Sequence, residues 1–194
     1  MKLLNKKNAN ENVAIPNPDD IVQERKRLQN SKRFRKVLVS TVSILIVVAA
    51  ISVLVVTLFM PVLQVTGTSM EPTLNNGDVI VLLKSKDLQT GTLVGVRVDG
   101  NILLKRIIGG PGDWVNIESD GSVYVNGKLL DEPYVQQKAK GETDLIFPYQ
   151  VPDNSYFVLG DHRSVSVDSR SSKIGCIPYE QIIGQVLFKI WPIV

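Results

Sequence analysis

A chain of 194 residues with a formal net charge of +3 has room for one domain with a core, or one domain and a membrane anchor, but not for two large domains. A single cysteine, Cys176, excludes an internal disulfide, and a single histidine, His162, argues against a clustered zinc site, so we expect no metal or other cofactor. The basic surplus lies in residues 1–36, which hold ten Lys/Arg and four Asp/Glu, against twelve and fifteen in the rest of the chain. Among these Lys/Arg residues Phe34 is the only interleaved aromatic, which argues against nucleic acid as a partner.

Residues 1–36 form the first predicted segment. The stretch is rich in asparagine and proline and ends in a basic cluster. We expect a cytoplasmic, largely disordered arm whose basic end is suited to contact anionic lipid. No chemistry is assigned to it.

Residues 37–60 are predicted to form a transmembrane signal-anchor helix. The stretch contains no charge, glycine or proline, and Pro61 ends it. At 1.5 Å per residue it can cross a hydrocarbon core of roughly 30 Å. The basic cluster upstream predicts a cytoplasmic N-terminus and an extracytoplasmic remainder. Two alternatives fit less well, since a cleavable signal peptide has a shorter apolar core and a small-x-small site, and a buried soluble helix usually has an amphipathic period.

Residues 61–194 are predicted to fold as one mainly β domain, because short apolar or alternating runs are broken by turn residues and no sustained helical period appears. Turns are expected at Asn76-Gly77, Asp99-Gly100, Asp120-Gly121 and Asn126-Gly127. The predicted strands are residues 78–83, 93–98, 102–108, 114–118, 122–125, 156–159 and 183–190.

Ser69 lies in a loop only a few residues after the predicted end of the membrane helix. At roughly 3.3 Å per extended residue, this tether keeps Ser69 within about 30 Å of the bilayer surface. The surrounding sequence is not the Gly-x-Ser-x-Gly elbow, and a serine in such a loop is usually a turn residue. A nucleophilic role needs a base, for which His162, in a Ser-His-Asp triad, and Lys105 are the candidates.

Lys105 is the better candidate because of its neighbours in the predicted strand over residues 102–108. Alternation gives each face of the strand two aliphatic side chains and one cation, Lys105 on one face and Arg106 on the other. Desolvation can lower a lysine pKa by several units, which is what a base at neutral pH needs. The alternative is that both cations only form structural salt bridges.

Residues 160–170 form a second polar cluster, with two carboxylates, two guanidinium groups and three hydroxyls in a short loop. A salt-bridged surface loop would have the same composition, and isolated surface pairs are worth only about 0–1 kcal/mol. The functional interpretation is that the loop orients the base.

Short sequence boxes follow one another at residues 67–74, 77–78, 105–113 and 160–170, and residues 124–127 and 190–192 add to them. In this order they resemble the boxes of bacterial type I signal peptidases. The single predicted anchor resembles the Gram-positive form of the family.

The resemblance implies a role for each matching residue. It makes Ser69 the nucleophile, Lys105 the unprotonated general base and Ser166 the hydroxyl that orients the lysine. Met70 matches the position beside the nucleophile that lies near membrane and substrate. Four further residues match those that hold the site together: Asp161, Arg163, Asp168 and Arg170.

The resemblance also implies the fold, the reaction and the partners. We expect a single-pass protein of the bacterial plasma membrane. One N-terminal transmembrane helix precedes an antiparallel β-sheet catalytic domain, which lies on the extracytoplasmic side. It would cleave signal peptides from secretory preproteins after small residues in an Ala-x-Ala-like site, through an acyl-enzyme. The implied partners are these signal peptides and the lipid bilayer, with the secretion translocon as a further candidate.

Three positions depart from the family pattern. Gly67 replaces a serine that donates to the oxyanion in Gram-negative members, His162 replaces the usual asparagine, and Val165 replaces a polar residue. We hypothesise that His162 adds pH sensitivity between about pH 5 and 8. Two rival classes remain, a membrane-tethered binding module that does not cut and a self-cleaving Ser/Lys repressor. The first would be expected to lack the Ser or the Lys, and the second would need a DNA-binding domain.

Overall fold

One long helix, α1 (Pro18–Phe59), begins the part of the chain that our computed structural model describes, residues 17–192. Its stretch Ile21–Phe59 is long and apolar enough to cross a membrane, and none of it is buried. The Met60 N–H closes the last turn on Val56 at 2.8 Å, and Pro61 follows, as predicted. The helix thus includes the predicted span.

The helix also extends through residues 18–36, which we expected to be largely disordered, and this corrects the prediction for those residues. Pro18 and Asp19 suit a first helical turn, and the Ile21 N–H donates to the Asn17 carbonyl at 3.3 Å. The following Gln, Glu, Arg, Lys and Leu residues are good helix formers that continue an already nucleated apolar helix. Residues 1–16 of the predicted arm lie outside the described part of the chain.

The remaining described residues form a mainly β domain with two antiparallel sheets, which confirms the predicted fold class. The larger sheet has seven strands in the order β1-β2-β11-β3-β4-β9-β10, and the smaller has four in the order β7-β6-β5-β8. A short 3₁₀ helix, Tyr179–Gln181, precedes the last strand. The strands are β1 Val62–Gln64, β2 Val79–Leu83, β3 Leu93–Val98, β4 Asn101–Gly109, β5 Trp114–Ile117, β6 Val123–Val125, β7 Lys128–Leu129, β8 Tyr149–Gln150, β9 Ser155–Leu159, β10 Ile177–Pro178 and β11 Ile182–Trp191.

All seven predicted strands are present, with ends that differ by at most one residue. Four strands were not predicted: β1, β7, β8 and β10. Each has only two or three residues, so no alternation can develop along it. Backbone pairing with a longer neighbour defines these strands rather than their own sequence pattern.

The hairpin β3–β4 sets the position of the two neighbouring cations. Asp99 and Gly100 have φ values of 47° and 79°, so they form the two-residue turn that their sequence predicts. This turn fixes the register, with Val94 opposite Lys105. On the other side of β4, Arg106 pairs with Leu159 of β9. Lys105 and Arg106 therefore lie in the middle of the large sheet, on opposite faces.

Three apolar clusters form the core of the domain. One cluster, Val65, Met70, Leu74 and Ile80, lies under the loop between β1 and β2. The second includes Val94, Val96 and Ile107 of the large sheet, and the third packs Val115 of the small sheet against Phe157 of β9. The first cluster supports the segment that carries Ser69.

Candidate active site

Ser69 lies in the β1–β2 loop, which is closed at its base by backbone hydrogen bonds. The Val65 N–H donates to Asp78 at 2.7 Å, and the Gly77 N–H donates to Val65 at 2.9 Å. The side chain of Met70, only 2% exposed, anchors the loop in the core. Ser69 itself is half-buried, so its hydroxyl is held by a fixed loop and is still accessible.

Lys105 reaches Ser69 from the neighbouring part of the sheet. Its Nζ lies 3.2 Å from Ser69 Oγ and 3.1 Å from Ser166 Oγ. The side chain is buried, with only 3% of the residue exposed. The structure thus brings together the three residues that were predicted to be nucleophile, base and orienting hydroxyl.

The surroundings of Lys105 favour its neutral form. Burial lowers the pKa of the Lys105 amine from its ordinary value, and the nearby Arg170 guanidinium lowers it further. The carboxylates of Asp168 and Asp161 act in the opposite direction but do not cancel the effect of burial. A lysine in this position is suited to accept a proton.

The loop that carries Ser166 is held by an internal ion pair. Asp168 and Arg170 are each about 1% exposed, and Arg170 Nε donates to Asp168 Oδ1 at 2.8 Å. The same carboxylate accepts the Gly160 N–H at 3.0 Å, and Arg170 Nη2 donates to the Ser166 carbonyl at 3.1 Å. These contacts fix the backbone of Ser166 beside Lys105.

A second ion pair joins the β1–β2 loop, which carries Ser69, to the same region. Arg106 donates two hydrogen bonds to Asp161, at 2.8 and 2.5 Å. Asp161 also accepts the Thr73 hydroxyl at 2.6 Å, and Thr73 belongs to the loop of Ser69. Arg106 is therefore the cation of the strand that forms a salt bridge, while Lys105 is left to face the two serines.

Arg163 pairs with a residue outside all the sequence boxes. Its guanidinium forms a buried bidentate pair with Glu132, and both side chains are about 1% exposed. Tyr134 lies near this pair, with its ring 3.7 Å below the Arg106 guanidinium carbon. Sequence reasoning missed Glu132 and Tyr134, because nothing in their local sequence distinguishes them from surface polar residues.

His162 is not the partner of the Ser69 hydroxyl. Its ring Nδ1 lies 3.3 Å from the Thr68 carbonyl oxygen, and its backbone N–H donates to the Ser69 carbonyl at 3.1 Å. Among the hydrogen bonds of residues 17–192, Ser69 Oγ is contacted by Lys105 and not by the imidazole. The geometry therefore favours the lysine over a Ser-His-Asp triad.

A cleft of about 510 Å³ leads to Ser69. The cleft is lined by residues 63–66 at β1, by residues 101–104 of β4, and by Gly67 and Ser69. Met70 is buried in the core and also lines the cleft, and its place near membrane and substrate stays a prediction. Within residues 17–192 no group of three His, Cys, Asp or Glu side chains is arranged to hold a metal ion.

Comparison with known proteins gives a consistent set of similarities. The family model described as "Signal peptidase, peptidase S26" matches residues 36–191. Signal peptidase I S of Bacillus subtilis (strain 168) is 41% identical over 140 residues, which cover 66% of this chain and 75% of that protein. Signal peptidase IB of Staphylococcus aureus (strain Mu50) is 36% identical over 148 residues, with coverage of 66% and 76%. A crystal structure of a signal peptidase I from Enterococcus faecalis V583 aligns with 54% of this chain and 100% of that chain, at 28% identity and a TM-score of 0.45.

Proposed function

The chain belongs to the signal peptidase family, peptidase S26, and from that premise we propose that it is a membrane-anchored serine endopeptidase that removes signal peptides from secretory preproteins with a Ser69/Lys105 dyad. One observation carries the assignment of the dyad. Lys105 Nζ, buried and uncommitted to any salt bridge among the described residues, lies within hydrogen-bond distance of Ser69 Oγ and Ser166 Oγ.

The reaction begins with proton transfer between the two members of the dyad. Neutral Lys105 accepts the Ser69 hydroxyl proton while Ser69 Oγ bonds to the scissile carbonyl carbon. The tetrahedral intermediate collapses when the Lys105 ammonium gives that proton to the leaving amine and the C–N bond breaks. The mature protein leaves with a new N-terminus, and the signal peptide remains as an ester on Ser69.

Water then completes the cycle at the same two residues. Lys105 accepts a proton from the water as its oxygen attacks the ester carbon, and it returns the proton to Ser69 Oγ when the ester bond breaks. Ser166, 3.1 Å from Nζ, accepts a hydrogen bond from Lys105 and keeps the amine aimed at Ser69 in both steps.

The developing oxyanion needs a donor, and the Ser69 backbone N–H is our candidate. Among the hydrogen bonds of residues 17–192, none uses this N–H, whereas the Gly67 N–H is committed to Asn76 Oδ1 at 2.9 Å. We therefore propose that the backbone N–H of Ser69, and not that of Gly67, donates a hydrogen bond to the oxyanion.

The cleft supports an extended substrate with small side chains. Its walls come from two strands, and the apolar residues Leu63, Val65, Ile102 and Leu104 line them. An extended chain between these walls places alternate side chains toward the same wall, so two small residues separated by one fit the Ala-x-Ala-like pattern. The carbonyl of the second small residue would then reach Ser69.

The helix α1 supports the cellular location. Its apolar stretch makes the enzyme membrane-anchored, and the basic residues 25–36 upstream favour a cytoplasmic N-terminus. We propose that the catalytic domain works on the extracytoplasmic side of the bacterial plasma membrane, with the lipid bilayer and the secretion translocon as its surroundings. The short tether from Phe59 to Ser69 suits a cut close to the bilayer surface.

The test uses the full chain in detergent, a preprotein substrate and mass spectrometry of the new N-terminus. We expect a single cut after an Ala-x-Ala-like site, and loss of cleavage in Ser69→Ala and in Lys105→Ala. Matched controls are Ser119→Ala and Lys128→Ala, whose side chains are exposed and distant in the sequence, and these should cleave at the wild-type rate. Cleavage retained in either dyad variant would refute the mechanism, and a folded wild-type protein that never cuts would instead favour a binding module.

A further inference from the structure

His162 lies between the two serines that contact Lys105, although the proposed reaction gives it no role. Its backbone N–H donates to the Ser69 carbonyl at 3.1 Å. Its own carbonyl accepts the Ser166 N–H, also at 3.1 Å. The residue thus joins the nucleophile loop to the loop of the orienting hydroxyl, and any side chain at this position would keep these backbone contacts.

The imidazole adds a contact that depends on its chemistry. Ring Nδ1 lies 3.3 Å from the Thr68 carbonyl oxygen, which also accepts the Glu71 N–H at 3.1 Å in the turn around Ser69. A carbonyl oxygen only accepts hydrogen bonds, so the nitrogen that faces it must carry the hydrogen. The surroundings therefore select an imidazole with a proton on Nδ1.

We propose that His162 is a positioning residue whose Nδ1–H, by donating to the Thr68 carbonyl, holds the nucleophile loop at hydrogen-bond distance from Lys105. The inference rests on the proposed function of Ser69 and Lys105. The proposal adds that His162, which is not a member of the dyad, controls the distance between Ser69 and Lys105. His162 touches neither the reacting atoms nor the cleft that leads to Ser69.

The location of the contact predicts which kinetic constant changes. The cleft walls do not include His162, so loss of the ring contact should leave KM unchanged. The Thr68 carbonyl is one residue from the nucleophile, so loosening it should lower kcat. One net hydrogen bond corresponds to a loss of about three- to tenfold in kcat for His162→Ala.

Two further variants separate the donor from the bulk of the ring. In His162→Asn the amide nitrogen is the same number of bonds from Cα as Nδ1, so it can donate to the Thr68 carbonyl. In His162→Gln the amide lies one bond further out, near the position of Nε2. We expect His162→Asn to restore kcat to within about twofold of wild type and His162→Gln to resemble His162→Ala.

The pH dependence distinguishes the donor from the charge of the ring. Nδ1–H is present both in the imidazolium and in the selected neutral tautomer, so the kcat ratio of wild type to His162→Asn should be constant between about pH 5 and 8. The titratable or charged groups around the ring are Glu71, which lines the same small cavity, and Asp161 and Arg163, which are both committed to buried ion pairs. A constant ratio would also dismiss the pH sensitivity hypothesised from sequence.

The experiment measures kcat and KM of the four full-length proteins on one preprotein, together with their thermal midpoints. Wild-type kcat in His162→Ala, or equal rescue by His162→Gln and His162→Asn, would overturn the proposal. A kcat ratio that drifts with pH would overturn it too, since charge would then control the rate. Equal thermal midpoints ensure that a low kcat reports positioning. If only this proposal fails, the wild type still cleaves the preprotein and Ser69→Ala does not. If the proposed function fails, either none of the proteins cleaves or Ser69→Ala cleaves as well.

Discussion

Gly160 offers the sharpest test of the geometry around Lys105, because it begins the loop that carries Ser166 and lies against the backbone of Ser69. A Cβ added at this position would lie 2.2 Å from Ser166 Oγ and 2.6 Å from the Ser69 carbonyl oxygen. Gly160 is not among the glycines with a positive φ, so alanine is compatible with its backbone. Gly160→Ala therefore changes the site through contact alone.

The size of the effect follows from these distances. An ordinary contact with Cβ needs at least 3.4 Å, so Ser166 Oγ must retreat by about 1 Å from a position now 3.1 Å from Lys105 Nζ. Such a shift breaks the hydrogen bond or pulls the amine away from Ser69. A misplacement of about 1 Å costs about 100-fold in rate, equivalent to roughly 2.7 kcal/mol.

The assay is the kcat for preprotein cleavage by Gly160→Ala, with Gly110→Ala as control. A Cβ at Gly110 meets nothing closer than 3.7 Å, so this variant should keep the wild-type rate. Circular dichroism at the assay temperature checks that both proteins are folded. A folded Gly160→Ala with more than a third of the wild-type kcat would refute the reasoning, as would an equal loss in both variants.

Three other measurements probe the site and its support. The kcat/KM should fall as pH decreases through the Lys105 pKa, because the ammonium cannot accept a proton. The pKa read from this part of the pH profile should lie below the ordinary lysine value of 10.5. A value at or above 10.5 would contradict a buried base. Glu132→Gln leaves the buried Arg163 guanidinium without its carboxylate, so the free energy of unfolding measured in urea should fall by about 3–5 kcal/mol. Glu24→Gln, in the exposed pair with Arg27, should not change it measurably. Equal effects in the two variants would show that burial is not the cause. Partial burial raises the pKa of the Cys176 thiol to about 11. The folded enzyme should therefore resist maleimide at neutral pH, and Cys176→Ala should cleave normally. Rapid labelling would contradict the raised thiol pKa.

The sequence predicted those features that depend on local pattern. Period-two alternation over residues 102–108 separated Lys105 from Arg106, and the Asp99-Gly100 turn fixed their register against β3. Both side chains are buried, at 3% and 8% exposure, as the apolar flanks indicate. The location of Ser69 beside Lys105 was predicted from the resemblance, since a serine in a loop carries little information by itself.

Other features depend on distant contacts and could not be predicted. Glu132 is 31 positions from Arg163, and no periodicity links a polar loop residue to a buried guanidinium so far along the chain. Residues 18–36 are helical because they continue an apolar helix that is already formed. This continuation overrides the disorder that their polar composition predicts.

The ion pairs around the site make most sense as a way to keep Lys105 neutral. Buried salt bridges contribute little to stability, because desolvation of both charges offsets their attraction. Two carboxylates lie close enough to Lys105 to raise its pKa, Asp161 and Asp168. Each is bound to its own guanidinium, that of Arg106 or Arg170, so its field at Lys105 is partly cancelled. The same carboxylates can therefore order the loops through hydrogen bonds while the pKa of Lys105 stays lowered. This arrangement accounts for the high density of charge beside an amine that the proposed reaction needs in its unprotonated form.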